Sequence, residues 1–281
     1  IQEGAFDHAR ADLALARRHG EVAESGFSLG YSIASQGLSL LLQGQLPAAL
    51  DLYRRAAQEP WMRLDDSVAS AVLVASYVHA LYEAGDLDAA AHQFEASRES
   101  ITGFGPLDFT ALGLLTMARI HDLRGRAAAA EDLLEEAEHI AHVHAWPRLA
   151  RRVAWERVRR LLVLGNDVER AQATASRMVP APSDLDPELF ADDAEDERIG
   201  RARLLIHLQQ GPAALQLLRA GQVGARGWVR RQIRLRVLES LALDREGRED
   251  AALSTLAEAL SQAQPGGLVR CGLDEGVPVL G

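Results

Sequence analysis

One cysteine, Cys271, stands in 281 residues. No disulfide can form within the chain and no cysteine-built zinc site is possible. A reducing, cytoplasmic setting is the expectation. Aromatic residues make up only 5% of the chain. No apolar run approaches the length of a membrane span, so no membrane partner is expected. No signal-peptide pattern opens the sequence. Basic residues are outnumbered 30 to 40, for a formal charge of -10. Such a surface repels nucleic acid as a whole. A GxxxxGK[ST] loop, a GxGxxG turn, an HExxH pair and a GxSxG elbow are all missing. The sequence therefore reads as that of a non-enzyme, with no cofactor of its own.

What is present is alanine, leucine, arginine and glutamate, in a recurring arrangement. Alanine and leucine lose little entropy on entering a helix. The phrase "GQLPAALDLYRRA" from Gly44 returns as "GDLDAAAHQFEAS" from Gly85 and "GRAAAAEDLLEEA" from Gly125. Related copies start at Gly4, Gly165, Gly211 and Gly247, at intervals of 40, 41, 40, 40, 46 and 36 residues. Each interval holds two segments of helical periodicity. The glycine falls in the turn between them, where a left-handed backbone costs it nothing. Small residues at Ala49, Ala90, Ala130 and Ala252 are each followed four on by a larger one, Tyr53, Phe94, Leu134 and Leu256. A period near 40 with two helices describes a solenoid, because one hairpin cannot bury its own apolar face. The expected fold class is all-α, a right-handed superhelical solenoid of antiparallel helix pairs, tetratricopeptide-like but with a longer period. Residues 1–281 form one helical-repeat domain in this reading. The first copy shows only its second helix, which points to a fragment with material missing before Ile1.

One region breaks the rhythm. Residues 179–197 contain Pro180, Pro182 and Pro187, and eight acids from Asp184 to Glu197 with no base. The glycine and spacing of a calcium loop are absent. The stretch reads as a solvated insertion followed by an acidic helix start, and it is where the solenoid would divide into two stacks. His139, His142 and His144 lie close together in "EHIAHVHAW" and read as residues at a helix end, not as a metal site.

Binding chemistry concentrates on the first helix of each pair, the helix that usually lines a solenoid's concave face. These helices carry rings beside guanidinium groups, the combination a groove for a peptide, a sugar or a phosphorylated ligand needs. Tyr77, Arg119, Trp155, Arg159, Arg203, Trp228 and Arg236 are the candidate ligand-binding residues. The arginines would meet an anionic group, and the rings would stack.

The hairpins "GFSLGYSIASQGLSLLLQGQLPAALDLYRRAAQE" and "ALDREGREDAALSTLAEALSQAQPGG" resemble repeats of the MalT-like, large ATP-dependent LuxR-family transcriptional regulators. The closing stretch "PGGLVRCGLDEG" resembles that family's G-Y-V-R-x-F-x-D-E-G. Gly267, Val269, Arg270, Asp274, Glu275 and Gly276 match. Leu268 replaces the usual aromatic, and Gly272 stands where phenylalanine is common. The resemblance implies the central sensor of an activator. An N-terminal nucleotide-binding domain and a C-terminal helix-turn-helix would flank it and are missing here. ATP would belong to the full-length protein, as would homo-oligomer formation and DNA binding. The implied partner of this segment is a small-molecule effector or a regulatory protein or peptide. Its binding would be coupled to self-association and promoter activation. The alternative is a generic tetratricopeptide-like scaffold that docks peptides and has no transcriptional role.

Overall fold

The computed structural model describes residues 6–63, 68–103, 105–178, 192–223, 225 and 227–276. Every regular element among them is helical. The chain gathers into two compact units that divide between His139 and Ile140. The first unit opens with α1 (Phe6–Val22), followed by the hairpin of α2 (Gly26–Leu42) and α3 (Leu46–Ala56). A 3-10 turn, Pro60–Arg63, leads to α4 (Val68–Glu83), α5 (Leu87–Ala96) and the short α6 (Arg98–Gly103). The next hairpin pairs α7 (Leu107–Leu123) with α8 (Ala127–Val143), and the division between units falls inside α8.

The second unit starts with α9 (Pro147–Arg159), which runs on through a π-helical turn, Arg160–Leu164, and pairs with α10 (Val168–Ser176). It continues with α11 (Asp192–His207) and α12 (Gly211–Val223), then α13 (Val229–Arg245) and α14 (Glu249–Ala263). A 3-10 turn, Gln264–Gly266, and the single-turn α15 (Arg270–Leu273) close it. Residues 179–191 of the acidic stretch lie outside the described residues. The two helices before that stretch, α9 and α10, both pack on α11, which starts within it, so the three share one body. The boundary expected there is found within α8 instead.

Within each unit, first helices pack on their own partners and on one another. In the first unit α2 packs on α3 and α4, and α4 packs on α5 and α7. In the second, α11 packs on α9, α12 and α13, and α13 packs on α14 and α15. This is the stacked antiparallel-pair architecture. Its effect is clearest in α4, which is apolar all round and buried at nearly every position. The outer α1 is the opposite, burying only Phe6 and Gly20.

The turns repeat as the sequence predicts at Gly44, Gly85, Gly125 and Gly247, all with φ between 69° and 81°. At Gly85 the chain makes the same paired cap seen elsewhere. Gly85 N donates to Tyr82 O at 2.9 Å and Asp86 N donates to Leu81 O at 3.0 Å. Two copies differ from expectation. After α10's partner helix the left-handed residue is Asn166, not Gly165, because the π-helical turn takes up one extra residue. Before α12 it is Gln209, while Gly211 is already the first residue of that helix. Gly211 answers a different need: a Cβ there would sit 2.1 Å from Glu246 Oε1.

The small-then-large spacing also has a structural cause. Ala49 and Tyr53 are both fully buried, and Tyr53 donates its hydroxyl proton to Ala34 O at 3.0 Å. The ring lies against Gly37, where a Cβ would fall 2.2 Å from Tyr53 Cζ. In an exposed helix, glycine to alanine gains about 1 kcal/mol. Gly37→Ala is expected to lose about 1–3 kcal/mol instead, by overpacking. Gly125→Ala has open space around it, so it should lose only the left-handed backbone penalty of about 1–2 kcal/mol. Urea unfolding of both variants checks the contrast. A stabilised Gly37→Ala would refute the close packing.

Candidate functional site

The closing stretch is a folded part of the second unit. Helix α14 stops at Ala263, and Gly267 turns the chain with φ +64°. Leu268 and Cys271 are buried, and α15 packs on α13. These two side chains supply the apolar hold that the missing aromatic and Gly272 do not. Arg270 Nε donates to Asp274 Oδ1 at 2.9 Å, one turn along. The remaining acid of the motif, Glu275, is buried and reaches across 72 residues of sequence to Arg203. Arg203 Nε and Nη2 donate to its two oxygens at 2.7 and 2.6 Å, a bidentate fork.

This pair lies in a larger cluster drawn from three successive first helices. Arg159 on α9 is buried, and its Nε donates to Glu156 Oε1 at 2.7 Å. Arg234 on α13 is buried too. Trp155, one helical turn before Arg159, lies against Gly200 of α11. A Cβ on Gly200 would meet the indole at 2.3 Å. Gly200 thus lets α9 and α11 approach and places Arg203, three residues on, near Arg159's helix. Burial alone pushes the Glu275 carboxyl up. The field and hydrogen bonds of Arg203, with the fields of Arg234 and Arg159, outweigh it and hold the carboxyl below the ordinary glutamate range. His207, one turn after Arg203, is pushed down by burial and then by the charges of Arg245 and Arg203.

Three of the seven candidate residues, Trp155, Arg159 and Arg203, therefore meet at one place, as buried groups. The other four lie apart from it. Trp228 is buried as the cap residue before α13. Arg236 is half-buried and binds Gln262 Oε1 through Nη1 at 2.5 Å. In the first unit Tyr77 is half-buried with its ring 5.9 Å from that of Tyr53, and Arg119 is half-buried on α7. Glu156 and Arg234 escaped the sequence reading. The i,i+3 spacing of Glu156 and Arg159 was the available signal for the first of them.

The first unit also carries an open cleft of about 560 Å³ between α1, α2 and α3. Leu29, Ile33 and Leu52 form its apolar floor, Arg17 and Arg55 stand on its rim, and Trp61 lines it as well. His139, His142 and His144 are exposed near the end of α8. Among the described residues no group of three or more histidine, cysteine or acidic side chains gathers as a metal site would require. No helix among them is long and apolar enough to cross a membrane.

Glu275→Gln keeps the side chain's shape and removes its charge. Neutralising one partner of a buried pair costs about 3–5 kcal/mol. At pH 7 the variant should unfold at correspondingly lower urea. Because the folded pKa is lowered, the native chain's advantage is complete above the ordinary glutamate value of about 4.3 and is lost as pH falls through the lowered value. Arg203→Gln should cost a similar amount, and the double variant far less than the sum. Strictly additive losses would show that the two charges act independently.

No curated protein matches the chain. A family model does, that of the MalT-like TPR region, over residues 2–281. With nearly every residue spanned and the hairpins stacked as antiparallel pairs, the chain belongs to the MalT-like TPR region family.

Proposed function

We propose that this chain is the sensing module of a transcriptional activator. In this reading a small effector or a regulatory protein binds the helical repeats, and the bound state favours self-association and promoter activation by other domains. Those domains would bind ATP on the N-terminal side and DNA on the C-terminal side. Tyr77 and Arg119 in the first unit, and Arg236 in the second, are each half-buried and are proposed as separate points of effector contact, and the buried cluster is the proposed relay within the second unit. Family membership supports a regulatory setting.

The observation that carries the coupling is the cluster itself. Arginines from α9, α11 and α13 act on one carboxylate of the closing segment. A ligand that binds one packing of these helices better than another changes the hold on that segment by its differential affinity. A static peptide-docking scaffold has no need of such a connection.

The coding sequence on both sides of this segment tests the reading directly. A phosphate-binding loop upstream and a helix-turn-helix downstream are expected. Neither element would leave the peptide-docking scaffold as the function. Within the regulator, Arg236→Ala and Tyr77→Ala are expected to lower effector-dependent reporter expression about tenfold or more, the effect of losing about 1.4 kcal/mol of binding. Unchanged effector response in both variants would remove these residues from effector contact.

A further inference from the structure

We propose that the arginine cluster of α9, α11 and α13 is a binding site for a small aliphatic carboxylate, kept closed by Glu275 acting as an internal carboxylate, so that ligand and closing segment compete for Arg203. This deepens the sensor reading and rests on it for its regulatory meaning.

Three observations lead here. The first is the geometry of the occupant. Glu275 meets Arg203 through two parallel hydrogen bonds of 2.7 and 2.6 Å. That is how a free carboxylate takes a guanidinium fork. The second is how the occupant is attached. It follows a helix of only four residues, α15, flanked by Gly267 and Gly276 with φ +64° and +89°. The segment is therefore a short arm laid onto α13, with left-handed turns at both ends. Releasing it frees one short helix from α13 and leaves the hairpins paired.

The third observation is a donor that Glu275 does not use. Trp155 is 8% exposed and sits one turn before Arg159. Its indole Nε1–H is buried with no acceptor among the described residues. An unmatched buried donor costs about 1–3 kcal/mol. The proposed ligand carries, besides its carboxylate, a second oxygen to accept from this indole, which a glutamate side chain does not offer. That favours a hydroxy acid or a dicarboxylate over a simple monocarboxylate.

The test uses Glu275→Ala, which removes the internal carboxylate and leaves room for a small one. Malonate, lactate and acetate are compared with chloride at equal ionic strength. The variant's Tm should rise in the carboxylates beyond its rise in chloride, with malonate and lactate ahead of acetate. Adding Arg203→Gln should abolish the difference. In the native chain, malonate should speed amide exchange across 268–276 while α11 stays protected. If Glu275→Ala does not fold, the exchange measurement on the native chain decides alone. Carboxylates that act no differently from chloride on the variant overturn the site. Unaltered exchange across 268–276 overturns the competition. Either failure leaves the regulator reading standing, and flanking sequence without regulatory domains would sink that reading while leaving the anion site intact.

Discussion

A helix that is apolar on every side must be covered on every side, and α4 is such a helix. Its own partner, α5, covers one side only. The flanking first helices, α2 and α7, must cover the rest. Burial of α4 therefore demands neighbours before and after it in the chain, and stacking of hairpins follows. The same demand explains the glycines of α2. Gly30 has no room for a Cβ against Ala69 of α4, and Gly37 has none against Tyr53. First helices become the interior of each unit, and the side chains on their packed faces are buried.

That burial decides the fate of the arginines. Some guanidinium groups on first helices, those of Arg159, Arg203, Arg230 and Arg234, enter the interior, where an unpaired charge is very costly. Each buried arginine in the second unit thus needs acid nearby. Glu156 serves Arg159, Asp274 serves Arg270 and Glu275 serves Arg203. Two of these acids come from the closing segment. Of these, Glu275 crosses to a first helix, so the segment's docking and the burial of Arg203 are one event. Such an arrangement resists partial change: either the segment is down and the charges are matched, or something else must match them.

Much of the fold was legible because it rests on local rules. Turn glycines at 44, 85, 125 and 247, and the alanine-to-aromatic spacing from Ala49 to Tyr53, express backbone geometry and helical periodicity. Gly165 and Gly211 misled because a π-helical turn and a distant carboxylate, Glu246, set their roles. The site was legible in part for the same reason. Trp155, Arg159 and Arg203 stand out as rings and cations on first helices. That they converge depends on Gly200 allowing α9 against α11. That Arg203 meets Glu275 depends on a contact between residues 72 apart, for which helical spacing carries no signal. Trp228 and Arg236 share the composition of the cluster and not its location.

The π-helical turn at Arg160–Leu164 has a wider meaning. Elsewhere the residue after the left-handed position donates back five residues, as Asp86 does to Leu81. Here Asp167 donates back six, to Leu161. The helix has swallowed one residue that the repeat does not otherwise contain. An insertion in a packed helix would ordinarily rotate everything beyond it by about 100°. By widening a single turn, the backbone confines that rotation to five residues and returns α10 to its place on α9. The fifth repeat thus shows how a stacked hairpin accommodates an extra residue: by a local dislocation, with α10 still packed on α9.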